Sequence, residues 1–189
     1  MKSNREKILD NALTLFASRG YDSVGVQEVA DASGVQKPTL YHYFGNKNGL
    51  LQTLLTENFA ELFQTLETAA KYNGDVLTTL QAVVNAYFNF AQSHPKFYRM
   101  QLSMWFAPHD SEPFQLLTEF GERQQALLEV LFTDAAKDHG NMKGRHRAYA
   151  ATFLGMINTY IGLSLNGSVQ LDAKLTGQLL HQYMHGIFS

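Results

Sequence analysis

The stretch from Val26 to Phe44 constrains the fold more than any other part of the chain. Val26 and Val29 share one helical face, and Leu40 and Phe44, four residues apart, begin a second apolar face. Gly34 lies between the two faces and suits the left-handed conformation in which many helices end. The stretch therefore predicts two short helices joined by a turn, a helix-turn-helix.

The second of these helices carries hydrogen-bonding side chains at the positions that do not face a core, as expected of a helix that enters the major groove of DNA. The candidates for base edges are Gln36, Lys37 and His42, because glutamine pairs with adenine and lysine with O6 and N7 of guanine. Pro38 lies in the first turn, where its missing amide costs nothing and its ring can meet a thymine methyl. His42 has an alternative role, in which its ring covers the small core of the motif.

Further segments of the first fifty residues match a known pattern at the same spacing. They are residues 8–16 (ILDNALTLF), 19–22 (RGYD), 29–30, 34–35, 39–41, 43–44 and 46–47. At these positions the sequence strongly resembles the DNA-binding head of the tetracycline-repressor (TetR) family of bacterial regulators. The resemblance implies an all-α chain, with a three-helix helix-turn-helix head in residues 1–46 and a helical ligand-binding and dimerisation body in residues 47–189.

The resemblance also implies contacts with the DNA backbone. The positions that match phosphate contacts are Thr39, Tyr41, Tyr43 and Lys47. Lys47 follows Asn46, a predicted helix cap, so its charge and the first amides of the next helix face the backbone together. Val24 and Gly25 stand where the family usually has small hydroxyl residues, which leaves Gln27 as the polar candidate on the first helix of the motif. The alternative for each of these side chains is an ordinary place on the solvated surface.

Composition narrows the function further. The 189 residues suffice for a head and one larger domain, and the absence of cysteine excludes disulfides and thiolate metal sites. The net charge of −2 is uninformative, and the first fifty residues hold six basic and five acidic side chains. No secretory signal is visible, and no apolar run approaches the ~18 residues of a membrane span. We therefore expect a cytoplasmic protein with no membrane partner.

Helix-capping and helix-breaking residues divide the remaining chain into predicted helices. A capping box at Ser3 and Glu6 begins the first helix, which runs to about Arg19. The helix after the head is predicted over residues 47–72. Punctuation by proline, glycine and acidic caps predicts five more helices, over residues 75–92, 95–106, 112–138, 143–166 and 172–187.

Two stripes on the helix predicted over residues 143–166 indicate how the body assembles. The first is a seam of small residues that lets another helix approach closely: Ala148, Thr152, Gly155, Thr159 and Gly162. The second is larger and apolar: Tyr149, Phe153, Met156, Tyr160 and Leu163. One stripe can face a partner and the other the interior of the body. In the family, this helix and the last one pair with their copies, so the resemblance implies a homodimer that also uses Leu179 and Tyr183; the alternative is a purely intramolecular bundle.

The body also offers candidates for an effector site. They lie where pockets of the family are usually bounded, or can join them: Met100, Met104, Trp105, Phe106, Phe120, Tyr149, Phe153, Met156 and Tyr160. Methionine and aromatic side chains with few charges suit a small apolar or aromatic molecule. The same helical spacing of aromatic residues is, however, the usual pattern of an ordinary core.

No catalytic, cofactor or metal site is predicted. His181 and His185 have a spacing that can bind a metal, but the sequence offers no third ligand. Residues 162–166 begin like a nucleophile elbow but lack its final glycine and lie within a helical pattern. The sequence therefore favours a regulator, most simply a repressor, that binds a palindromic operator as a homodimer and is released by a small molecule. The alternative is a DNA-bound interaction protein without an inducer.

Overall fold

A computed structural model describes residues 2–186, apart from the side chain of Asn141. In this range the chain forms nine α-helices, one short 3-10 helix at Gly140–Met142 and no strand, so the predicted all-α fold is confirmed. The helices are α1 Asn4–Arg19, α2 Val26–Ala32, α3 Lys37–Phe44, α4 Lys47–Ala69, α5 Val76–Ser93, α6 Pro95–Trp105, α7 Glu112–Ala135, α8 His146–Leu165 and α9 Ala173–His185. The last predicted helix was expected to extend to Ile187, which lies outside the described residues.

Side-chain caps begin the helices where the sequence predicts them. The amide of Ser3 donates to the Glu6 carboxylate at 2.7 Å, and the Glu6 amide donates to Ser3 Oγ at 3.3 Å, which completes the capping box. Asn46 Oδ1 accepts from the amide of Gly49 at 2.8 Å, and Asp172 Oδ1 accepts from that of Leu175 at the same distance. Each cap satisfies an amide that the helix itself leaves unpaired and stabilises its helix by about 1 kcal/mol.

The described chain divides into two compact units. The first runs to Ala60 and includes Pro95–Glu119, and the second holds Glu61–His94 and the residues from Phe120 onwards. The helices α4 and α7 therefore each contribute to both units. The boundary between residues 46 and 47 falls inside the first unit and remains a prediction about how the chain divides by function.

The core of the first unit anchors the helix-turn-helix on α1. Ile8, Ala12 and Phe16 of α1 are fully buried, and α1 packs against α2, α3 and α6. On its other side, Lys96 of α6 donates to Thr14 Oγ1 of α1 at 3.0 Å. The position of α3 is thus set by apolar contacts with a longer helix, which is why so short a helix is stable.

In the second unit, the buried face of α8 differs from the expected one. It consists of Ala150, Phe153, Leu154, Ile157 and Ile161. Of the larger apolar stripe only Phe153 belongs to this face; Tyr149, Met156 and Tyr160 are half-buried and Leu163 is exposed. Neither predicted stripe as a whole forms the buried face, because the branched side chains of Ile157 and Ile161 fill the core.

Most of the small-residue seam of α8 is exposed. Ala148, Thr152, Gly155 and Thr159 are exposed and Gly162 is half-buried. On α9, Leu179 is 1% exposed, so it packs within the protomer, whereas Tyr183 is half-buried and donates its hydroxyl to the Tyr149 carbonyl at 2.8 Å. Among residues 2–186 no helix combines the length and apolar character that a bilayer span requires.

Candidate nucleic-acid interface

Two buried residues fix which side of α3 points outward. Leu40 is 0% exposed and Phe44 is 8% exposed, so the opposite side of the helix meets solvent. The exposed residues on or beside α3 are Gln36, Lys37, Pro38, Tyr41, His42 and Tyr43, and Thr39 is half-buried. The predicted DNA-contacting residues of this helix therefore lie on one continuous surface. His42 belongs to that surface and does not cover the core.

Aromatic rings support the charged and polar groups of this surface. The Lys37 ammonium lies 5.4 Å from the centre of the Tyr41 ring, and the His42 and Tyr43 rings meet edge to face with centres 5.4 Å apart. The first turn of α3 contains no acidic residue. The partial positive charge at the start of the helix therefore remains available to an anionic partner.

Carboxylates partner several basic side chains of the first fifty residues. Lys2 is paired with Asp10, Arg5 with Glu57 and Arg19 with Glu28. All six side chains are substantially exposed, so each pair contributes little stability and can open. Lys37 and Lys47 instead lie against aromatic rings, which attract an ammonium without neutralising it, although the carboxylates of Asp22 and Glu112 also act on Lys47.

Other side chains surround Lys47 more closely than the sequence indicates. Its ammonium lies 3.9 Å from the centre of the Tyr21 ring, whose hydroxyl donates to Glu112 Oε2 at 2.8 Å. Burial lowers the pKa of Lys47, and the charges of Asp22 and Glu112 act in the opposite direction. Burial and then the bond to Glu112 raise the pKa of Tyr21, so its hydroxyl stays protonated at neutral pH. Tyr21 belongs to the matching segment 19–22, but sequence reasoning missed its bond to Glu112 because 91 residues separate the two.

The turn between α3 and α4 brings Lys47 close to the end of α3. A Cβ atom on Gly49 would lie 2.1 Å from the Phe44 carbonyl oxygen, a distance that no side chain tolerates. Phe44 is the last residue of α3. Glycine at position 49 therefore permits a close approach of the first turn of α4 to α3, and this approach sets the distance between Lys47 and the exposed surface of α3.

On α2, the side chain predicted to contact the DNA backbone already has a hydrogen-bond partner within the protein. Gln27 Nε2 donates to Asp31 Oδ1 at 2.8 Å, and both side chains are exposed. A contact between Gln27 and a phosphate would therefore replace this bond. Gly25 is the N-cap of α2 and, as expected, provides no side-chain hydrogen bond to the helix.

Gly25→Ser is expected to stabilise the protein. Gly25 has φ −84° and ψ 152°, and a Cβ there meets nothing within 4 Å, so serine fits and supplies the missing cap. The cap and the reduced freedom of the unfolded chain together raise the free energy of unfolding by about 1 kcal/mol, or a Tm increase of about 3 °C. Thermal unfolding measures this. Gly20→Ser is the matched control, because its φ of +81° makes serine strained; equal effects at both sites would contradict the prediction.

A groove on the second unit runs between α8 and α9. Its volume is about 460 Å³, and it is lined by Ala148, Tyr149, Thr152, Met156, Tyr160, Gln182 and Tyr183. It thus combines three residues predicted for the effector with three predicted for the dimer interface. The other predicted effector residues lie elsewhere: Met100 and Met104 are buried in the first unit, while Trp105 is 48% and Phe106 86% exposed. Phe120 and Phe153 belong to the second unit.

The histidine pair of α9 is exposed and lacks a third ligand within the described chain. The rings of His181 and His185 meet edge to face with centres 4.9 Å apart. Among the residues that the structure describes, no three histidine, cysteine, aspartate or glutamate side chains are grouped to hold a metal ion.

Comparison with known proteins identifies relatives of this fold. Residues 8–54 match the family of bacterial regulatory proteins, tetR family. The transcriptional repressor KstR2 of Rhodococcus jostii is 30% identical over 139 residues, covering 70% of this chain and 67% of KstR2. The transcriptional activator FasR of Mycolicibacterium smegmatis is 29% identical over 146 residues, covering 77% of this chain and 65% of FasR. The chain therefore spans slightly less than two thirds of that activator.

A solved structure extends the likeness to the whole fold. The transcriptional regulator FadR from Bacillus subtilis, in complex with stearoyl-CoA, is similar with a TM-score of 0.80 over 96% of this chain and 98% of FadR, at 22% sequence identity. At that identity the likeness concerns the path of the backbone. These relatives thus include both a transcriptional repressor and a transcriptional activator.

Proposed function

The chain belongs to the tetR family of bacterial regulatory proteins, and on that basis we propose that it binds a palindromic DNA operator as a homodimer and leaves it when a small molecule binds in its body. The observation that carries the proposal is the surface of α3. Seven residues suited to bases and phosphates lie along a helix whose other side is held by Leu40 and Phe44. Such a helix presents hydrogen-bonding groups to the major groove at fixed positions.

Within this proposal the side chains divide into two roles. Gln36, Lys37 and His42 read base edges, and Pro38 contacts a thymine methyl. The remaining groups hold the phosphate backbone and set the register: Gln27, Thr39, Tyr41, Tyr43 and Lys47. The ammonium of Lys47 contributes a charge that the backbone attracts over several ångströms, whereas the tyrosine hydroxyls contribute short hydrogen bonds.

The homodimer is proposed through the exposed sides of α8 and α9. Gly155 on α8 and Gly177 on α9 are exposed within helices, and a Cβ at either position would meet nothing within 4 Å of the protomer. Glycine within a helix costs about 1 kcal/mol relative to alanine, and the protomer itself gives no reason for it. Close packing of a second copy on this surface would explain the two exposed glycines. In such a dimer, two heads one helical turn apart, ~34 Å, would read the two halves of a palindrome.

The effector is proposed to be a small, mainly apolar molecule. FadR of Bacillus subtilis has stearoyl-CoA bound, and a further structure similar to this chain is named as a ketosteroid regulator, KstR2 of Mycobacterium tuberculosis. The groove between α8 and α9 has apolar walls, but it shares Ala148, Thr152 and Tyr183 with the proposed dimer face, so a second copy would cover it and the effector site is not assigned to it. An effector releases DNA only if it binds more tightly to a dimer whose heads are misplaced. The simplest form of this regulation is a cytoplasmic repressor that leaves its operator when the effector binds.

Selection of bound duplexes from a random DNA pool tests the proposal. The purified full chain, at salt near 0.15 M, is expected to enrich one palindrome whose halves lie about one helical turn or a small multiple apart. A single unpaired half-site would contradict the homodimer. Absence of any enriched sequence, both before and after the protein is unfolded and refolded to remove bound molecules, would contradict DNA recognition.

Gln36→Ala and Lys37→Ala are expected to change which sequences the protein prefers. Each removes a group from the exposed start of α3, so each relaxes discrimination at one position of each half-site, at a cost of about 1–3 kcal/mol per lost base contact. Competition binding with operators changed at single positions measures the effect. Lys7→Ala, on α1, is the comparison for Lys37→Ala; an unchanged preference in both α3 variants would show that these residues do not read bases.

A further inference from the structure

We propose that Glu112, the first residue of α7, is a positioning residue for the DNA contact of Lys47 and acts through Tyr21. The proposal rests on the proposed role of Lys47 at the DNA backbone. It adds two residues to which the sequence analysis assigns no role and that do not themselves touch DNA. Tyr21 carries the ammonium on its ring, and Glu112 fixes that ring by its hydroxyl.

The three groups form one chain of contacts within the first unit. Tyr21 is 6% exposed, and its ring also meets Phe16 of α1 edge to face, with centres 5.2 Å apart. The hydroxyl at the far end of the ring donates to Glu112 Oε2 at 2.8 Å. A ring held both at its edge and at its hydroxyl has one orientation, so the position of the Lys47 ammonium above its face is defined as well.

The charges around Lys47 offset part of the effect of its partial burial. Desolvation disfavours the ammonium and lowers its pKa, whereas Asp22 and Glu112 favour it. A cation over an aromatic face is attracted to it without being neutralised, unlike one in an ion pair. The arrangement therefore keeps Lys47 charged and leaves it able to meet a phosphate, in contrast to Arg5 and Arg19, which are paired with carboxylates.

Glu112 can also act locally by stabilising the start of α7, and the test must distinguish this effect from a positioning role. It lies in the first turn of α7, directly before Pro113, where a carboxylate is favourable at the positive end of a helix. A variant that lost only this role would have the same effect whether or not Lys47 were present. A positioning role, by contrast, requires Lys47 for its effect.

The experiment is a set of double-variant measurements on the full chain with its selected operator. Tyr21→Phe and Glu112→Ala are each expected to weaken binding by about threefold to tenfold and to reduce the dependence of affinity on salt. In a Lys47→Ala background neither is expected to weaken binding further. Glu112→Gln keeps an oxygen acceptor for the Tyr21 hydroxyl and is expected to retain most of the affinity that Glu112→Ala loses. Equal losses with and without Lys47 would overturn the proposal.

A measurement without DNA separates this inference from the proposed function. The side-chain protons of Lys47 lie over the Tyr21 ring, so their NMR resonances are expected to be shifted by the ring in the free protein, and Glu112→Ala is expected to move them toward the positions of an exposed lysine. Unshifted resonances in the unaltered protein would overturn the inference while leaving DNA binding intact. If the resonances behave as expected but Lys47→Ala leaves operator binding unchanged, the assignment of Lys47 to the backbone fails, and the positioning role falls with it.

Discussion

Gly155→Arg is expected to convert the proposed homodimer into folded monomers and to weaken operator binding by about 10²- to 10⁴-fold. A long charged side chain at the exposed Gly155 prevents the close approach of a second copy of α8. Two linked heads gain this factor over one head because the second contact becomes intramolecular. Sedimentation or light scattering measures the mass, and titration of the palindrome measures the affinity.

The folded state of the protomer provides the control for Gly155→Arg. Arginine favours helix over glycine by nearly 1 kcal/mol, and nothing in the protomer lies within 4 Å of the new Cβ, so thermal unfolding at low protein concentration is not expected to fall. Gln64→Arg adds the same charge to an exposed position of α4 and is expected to leave mass and affinity unchanged. A dimer that persists in Gly155→Arg would exclude this side of α8 from the interface.

The parts of the fold that the sequence predicts well are those decided by neighbouring residues. The capping box at Ser3 and Glu6 and the caps at Asn46 and Asp172 depend on side chains within three residues of the amides that they satisfy. Gly34 ends the first helix of the motif with φ +65°, as its place between two apolar faces predicts. Helix boundaries in the body also agree within a few residues wherever proline or an acidic cap marks them.

The sequence does not decide which of several similar faces of a helix is covered by another helix. On α8 the sequence offers an aromatic stripe and a small-residue stripe, yet the buried face centres near Ile157, beyond the aromatic stripe and opposite the small-residue stripe. Spacing alone does not distinguish these choices, because stripes one residue apart differ by only 100° around the helix. The Tyr21–Glu112 bond is missed for a related reason, since no local pattern links residues so far apart.

Lys47→Ala is expected to weaken operator binding by roughly 100-fold for the dimer, because two charge-assisted contacts at about 1.5 kcal/mol each are lost. The loss is expected to be similar for all operator variants, since phosphates carry no sequence information. The slope of log affinity against log salt is expected to decrease by about 0.9 for each phosphate contact, or about 1.8 for the dimer. Tyr43→Phe, which removes a neutral hydroxyl, is expected to weaken binding across sequences without changing this slope. Altered base preference in either variant would contradict the assignment to the backbone.

The pH dependence of binding distinguishes Lys47 from an exposed lysine. Burial lowers its pKa, so as pH rises it loses its proton, and with it the phosphate contact, at a lower pH than an ordinary lysine of pKa 10.5. Binding by the unaltered protein is therefore expected to weaken with rising pH before exposed lysines titrate. Lys47→Arg is expected to bind without this early loss, because arginine remains charged throughout that range. An identical alkaline profile in both proteins would show that the proton at Lys47 does not control the contact.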